Sequence, residues 1–253
     1  MNRKCAAAGL AAALLWLSGA GAATAGDFDH SEWDRILSAR VSESGLVAYR
    51  DLKSRNLPAL DAYLGRVAAA KLDGWSRADR QAFFINAYNA CAVRGVLNGR
   101  TAESLVSRVA FFGTDQYTIA GEKMSLDHLE KRVILPEFKD PRNHFALVCA
   151  SASCPKLARR AYTGAALDAM LDAQGRDFLG DKTRNPLGPG PNVGVSMIFK
   201  WYADDFVGTS GSVAAFIAPF APAGAPACLA TSACSFEFLD YDWTLNAQPG
   251  QRP

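Results

Sequence analysis

"HFALVCASASCP", residues 144–155, decides how the chain is read. It sets one of only three histidines at the head of an apolar run and two of the six cysteines at its far end. Flanked by the turn-forming "DPRN" before it and "SAS" after it, the run over 144–150 reads as a strand. Side chains alternate along a strand, so His144, Ala146, Val148 and Ala150 share one face while Phe145, Leu147 and Cys149 take the other. On a regular strand His144 and Cys149 do not meet, and Cys149 reads as a small core residue.

Cys154 differs because Pro155 follows it. Proline suits the first residue of a helix, which puts Cys154 at the cap, where peptide dipoles lower a thiol's pKa. A nucleophilic thiol also needs a base, and the base needs a group that orients it. His30 lies in a polar terminus and His128 on the outer face of a short helix, which leaves His144. Glu130 shares the core-facing stripe of that helix with Leu126, Leu129 and Val133. Glu130, His144 and Cys154 form a possible triad. Two other readings use the same stretch: a Cys149–Cys154 disulfide, and a metal site with His144. The metal reading lacks the four ligands and the paired CxxC of structural zinc.

Working outward, apolar residues at helical spacing predict helices over 31–44, with Ser31 as its cap, and over 58–72. A third, over 76–97, is apolar on nearly all sides and therefore central. Only Asn86 and Asn89 interrupt "AFFINAYNACAV" (82–93), and buried amides must be paired. They either tie down neighbouring loops or, for Asn86, help hold a substrate oxyanion. A hairpin around Gly121, a short helix from Ser125 to about 134, helices over 163–179 and 212–220, and strands over 193–197 and 235–239 complete the pattern. Phe199 to Phe206 is an aromatic segment that reads as core. Helices come first and short strands later, which favours an α+β fold with N-terminal helices packed on a mainly antiparallel sheet.

Arg3 and Lys4, the apolar stretch 6–17 and the small-x-small site Ala23-Thr24-Ala25 read as a secretory signal peptide over 1–25. The remainder, 26–253, has no linker or repeat and reads as one domain with no further membrane-spanning segment, periplasmic or secreted. Without Arg3 and Lys4 the charges balance, so nothing calls for nucleic acid. Of the remaining cysteines, Cys228 and Cys234 flank the short loop "CLATSAC" and are expected to pair in an oxidising compartment.

"FFINAYNA" (83–90), the stretch 117–163, "IFKWYADDF" (198–206) and "FLDYDWTLN" (238–246) together resemble the family catalogued as domain of unknown function 547, over 81–246. The resemblance implies a relative of papain-like and transglutaminase-like cysteine hydrolases, with a triad falling on Glu130, His144 and Cys154. Two departures, Phe84 for a tryptophan and His128 for an acid, leave the triad untouched. The expectation is an exported thiol hydrolase or acyl transferase acting, without cofactor or metal, on a peptide or cell-envelope amide or thioester. The other expectation is a non-catalytic peptide-binding or scaffold module with a structural or redox Cys149–Cys154 disulfide.

Overall fold

The computed structural model describes residues 28–253; the expected leader lies outside the described residues. The described residues open with three helices: α1 (Ser31–Arg40), α2 (Tyr49–Arg55) and α3 (Leu57–Ala69). The stripe Trp33, Ile36 and Leu37 of α1 is buried as its spacing requires. Ser31 is the first helical residue instead of the cap, and its own amide donates to Asp29 Oδ1 at 2.9 Å.

The central helix is α4 (Arg77–Leu97). Ser76 caps it, its hydroxyl accepting from the Asp79 amide at 3.1 Å. Every residue from Gln81 to Val93 is buried. A helix without a polar stripe has to be surrounded, and the rest of the larger core is built around it.

Next come α5 (Leu105–Arg108), which widens into a π-type turn over Val109–Thr114, and the hairpin β1 (Tyr117–Ile119) with β2 (Glu122–Met124). Ala120 and Gly121 both take positive φ, 49° and 87°, as a two-residue hairpin turn demands. Their amides donate to the Val67 and Ala68 carbonyls at the end of α3, which docks the hairpin there. Ser125 then caps α6 (Leu126–His128), which opens into a π-type turn over Leu129–Ile134 before α7 (Leu135–Phe138).

Further on lie α8 (Asn143–Ala146), α9 (Leu167–Gly180), β3 (Asn192–Ser196), α10 (Ile198–Trp201), α11 (Ala203–Ser210), α12 (Val213–Ile217), α13 (Cys228–Thr231) and β4 (Ser235–Leu239). The class is α+β, mostly helix with small sheets. The mainly antiparallel sheet is not there: among the described residues β1–β2 is one two-stranded antiparallel sheet and β3–β4 another, parallel one. A parallel pair needs a crossover, which α10 to α13 supply.

The expected strand over 144–150 is also replaced. Residues 143–146 make one helical turn, and from an extended Leu147 the chain runs through Cys149 without a ladder partner. Asn89 explains why no partner is needed. From inside α4 its Nδ2 donates to the Ala146 carbonyl at 2.9 Å, and its Oδ1 accepts the Val148 amide at 2.9 Å. One side chain thereby satisfies the two backbone groups that a neighbouring strand would have taken.

Around this segment the described residues form two cores. Ala146, Leu147 and Val148 belong to the larger one. Phe145 belongs to the second, where it packs with Phe178, Phe199, Phe206, Phe216 and Phe220. The opening stretch thus runs along the seam between the two, and the candidate site is at that seam.

Candidate functional site

Glu130, His144, Cys149 and Cys154 line one cavity of about 200 Å³. Tyr88, Tyr202, Trp201, Tyr241, Trp243 and Phe112 line it as well, so polar groups converge among aromatic rings. Tyr202 and Lys131 also border a larger, more open cleft of about 610 Å³, into which Asp204 and Asp205 face.

Glu130 is carried inward by the widened turn after α6 and is buried. It has no ion-pair partner among the described residues. Two phenols hold it instead: Tyr202 donates to Oε1 at 2.6 Å and Tyr88 to Oε2 at 3.2 Å. Burial, and then the neighbouring carboxylate, push the Tyr88 and Tyr202 hydroxyls well above the ordinary phenol range, so both remain donors.

His144 is buried at the second position of α8, and Gln81 of α4 fixes that turn by donating to Asn143 Oδ1 at 3.0 Å. Its ring stacks on Tyr202, with centroids 3.9 Å apart, and meets Phe206 edge-on at 5.3 Å. Its Nε2 lies 2.8 Å from Asp205 Oδ2. The structure therefore does not bring Glu130 to the imidazole. The carboxylate on the ring is Asp205, and Glu130 lies one phenol away, under Tyr202. The bond to His144 holds the Asp205 carboxyl below its usual range, against a smaller opposing effect of burial.

No helix starts at Pro155, so Cys154 is not a helix cap. The chain instead turns back at Ala150, whose φ is 59°, and Arg184 clamps the loop by donating to the Ala152 and Cys154 carbonyls at 2.7 and 2.8 Å. This fold-back brings the two thiols together. The Cys149 amide donates to Cys154 Sγ at 2.8 Å. Cys149 Sγ lies 2.9 Å from the Ser151 hydroxyl and 3.3 Å from that of Tyr241. Both cysteines are free thiols, and no disulfide joins them.

Burial raises the Cys149 thiol, but hydrogen bonds from Cys154, Ser151 and Tyr241 outweigh it and bring it down to about 7. Burial and the adjacent Cys149 sulfur push Cys154 well up. One proton therefore leaves the pair readily and the second is held. The easier ionisation falls on Cys149, which sequence reasoning had placed in the core.

Asn86 does not reach the cavity. Its Nδ2 donates to the Tyr162 carbonyl at 2.8 Å and its Oδ1 accepts the Tyr162 amide at 3.0 Å, so both ends of the amide are committed to a loop and none is left for an oxyanion. Cys228 and Cys234 are disulfide-bonded, as their loop suggested. Among the described residues no group of three or more His, Cys, Asp or Glu side chains is placed to hold a metal ion.

Asp205 was missed in the sequence, although a signal exists. In "WYADDF" Tyr202, Asp205 and Phe206 stand at i, i+3 and i+4, one face of a helix, and all three touch His144.

The fold and site define a mixed helical protein with a polar cluster buried between two cores. Its central segment, residues 72–179, matches the model of a family described as protein of unknown function, DUF547, which supports the resemblance read from the motifs. The match contains Asn86, Asn89, Glu130, His144, Cys149 and Cys154, and ends before Asp205 and Tyr241. Neither a curated protein nor a solved structure matches the chain.

Proposed function

We propose that the protein is an exported thiol hydrolase or acyl transferase of the papain-like and transglutaminase-like kind, periplasmic or secreted, acting on an amide or thioester of a peptide or cell-envelope substrate. The observation that carries this reading is the convergence of Glu130, His144 and Cys154 on one small cavity. Cys154 attacks the carbonyl carbon as a thiolate, and its proton passes to His144. The tetrahedral adduct collapses as His144 returns the proton to the leaving amine or thiol. Water, or an acceptor amine, then releases the acyl group from sulfur. Glu130 acts through Tyr202, whose ring it holds against the imidazole.

A second reading is favoured by the thiol lowered to about 7: Cys149, the more open of the two, makes the attack, with the Ser151 and Tyr241 hydroxyls stabilising its thiolate. Labelling of Cys154→Ala and Cys149→Ala by an acylating, thiol-directed probe separates the two readings. Loss of label only in Cys154→Ala supports Cys154, and loss only in Cys149→Ala supports Cys149. Equal labelling of both variants overturns the single-nucleophile assignment. Recovery of Cys149 and Cys154 as one disulfide-linked peptide from unreduced protein would favour the binding-module alternative.

A further inference from the structure

We infer that Asp205, not Glu130, is the carboxylate that positions His144, and that it selects the tautomer in which Nδ1 keeps its lone pair, on a ring that lines the same cavity as the two thiols. This rests on the thiol-hydrolase reading for its purpose, though its geometry stands without it. His144 has two ring nitrogens, and a neutral imidazole donates from one and accepts at the other. Asp205 Oδ2 lies 2.8 Å from Nε2, and an ionised carboxylate only accepts, so the proton is on Nε2. That leaves Nδ1 with the lone pair, as a base requires.

The neighbours make the arrangement one-sided. Glu130 has both oxygens occupied by Tyr88 and Tyr202, so it cannot compete for the ring. Tyr202 covers one face of the imidazole and Phe206 meets its edge, which restricts rotation. Tyr202, Asp205 and Phe206 come from adjacent turns of α10 and α11, so one short helical segment both clamps the ring and sets its proton. Asp205 is itself half-exposed and borders the larger cleft, away from the thiols. It is a positioning residue: it touches the base and not the substrate.

The test uses the mature protein and four forms: wild type, Asp205→Ala, Asp205→Asn, and Asp204→Asn as a charge-matched neighbour. Nitrogen-15 NMR of the ring, assigned with His144→Asn, reads the tautomer at a pH where the ring is neutral. The expected result is a proton on Nε2 in wild type and Asp204→Asn, and a mixture of tautomers in Asp205→Ala. Asp205→Asn offers both an acceptor oxygen and a donor NH2, so it no longer dictates which ring nitrogen is protonated and should also give a mixture. A wild-type proton on Nδ1, or an unchanged tautomer in Asp205→Ala, overturns the inference.

Iodoacetamide labelling at pH 7 gives the second readout. The rate should fall roughly tenfold or more in both Asp205→Ala and Asp205→Asn, and not in Asp204→Asn. A wild type without enhanced thiol reactivity would defeat the proposed function while leaving the tautomer result standing. A reactive wild type with unchanged Asp205→Ala rates would defeat the role of Asp205 alone.

Discussion

Asn89→Ala is the sharpest test of how the fold positions the site. The amide is buried and bonds both the Ala146 carbonyl and the Val148 amide, each itself in the core. Removing it leaves two backbone groups without partners where water does not reach. Each such orphan costs about 1–3 kcal/mol, so the variant should lose roughly 2–6 kcal/mol. Against a total stability of about 5–15 kcal/mol for an ordinary domain, that is a large fraction. Urea unfolding should show a lower midpoint at an unchanged slope. Hydrogen exchange localises the effect: the Val148 amide should lose protection. Asn98→Ala, at the exposed end of the same helix, sets a baseline within about 0.5 kcal/mol. A loss below about 1 kcal/mol, or a Val148 amide as protected as in wild type, would refute the claim that this amide replaces a neighbouring strand.

Other outcomes follow from single features. His30 is buried against Tyr63, and burial lowers its pKa from 6.5 to about 4. The fold thus prefers the neutral ring. The stabilisation, about 3 kcal/mol, is complete above pH 6.5 and drains away as pH falls towards 4. His30→Gln should flatten that acid limb in urea titrations at pH 7 and 4, and an unchanged limb would contradict the burial argument. The Cys228–Cys234 bond closes a loop with a sequence separation of only 6, for which the chain-entropy relation gives about 2 kcal/mol. Replacing both by serine should lower stability by that amount in the same titration. A loss of 5 kcal/mol would mean that the bond organises more than its own loop.

The sequence reached some elements because they depend on local signals. The central helix announces itself by an apolar surface on all sides and by Ser76 at its start. The hairpin at Gly121 follows from turn chemistry, since Ala120 and Gly121 must both take positive φ. The segment 144–150 was misread because an apolar run is equally consistent with a buried strand and with chain threaded between two cores. What separates the two is Asn89, more than fifty positions earlier. The supposed cap at Cys154 failed for a similar reason. Proline at a first helical position permits a helix without requiring one, and here Arg184, thirty positions later, holds the chain as a loop. Pairings of buried polar groups are long-range facts, and residue spacing marks which residues share a face without naming their partners.

The two acids show how far that limit extends. Spacing placed Glu130 on a core-facing stripe, and the structure puts it in the cavity, but burial did not make it the partner of His144. A buried carboxylate takes whatever donors are nearest, and two phenols satisfy it without a cation. The acid that does reach the imidazole is half-exposed and sits on a helix whose aromatic residues also clamp the ring. This division suits a site at a seam. Glu130 and Tyr88 come from the side of the larger core, whereas Phe206 belongs to the second. His144 is held where the two meet, so a shift of α11 relative to α4 would move the base relative to the thiols. Substitutions in the second core, such as Phe216→Ala beneath Phe206, should therefore slow thiol labelling without touching the cavity wall. Labelling rates that track only the cavity residues would show that the seam is rigid and that Asp205 alone fixes the ring.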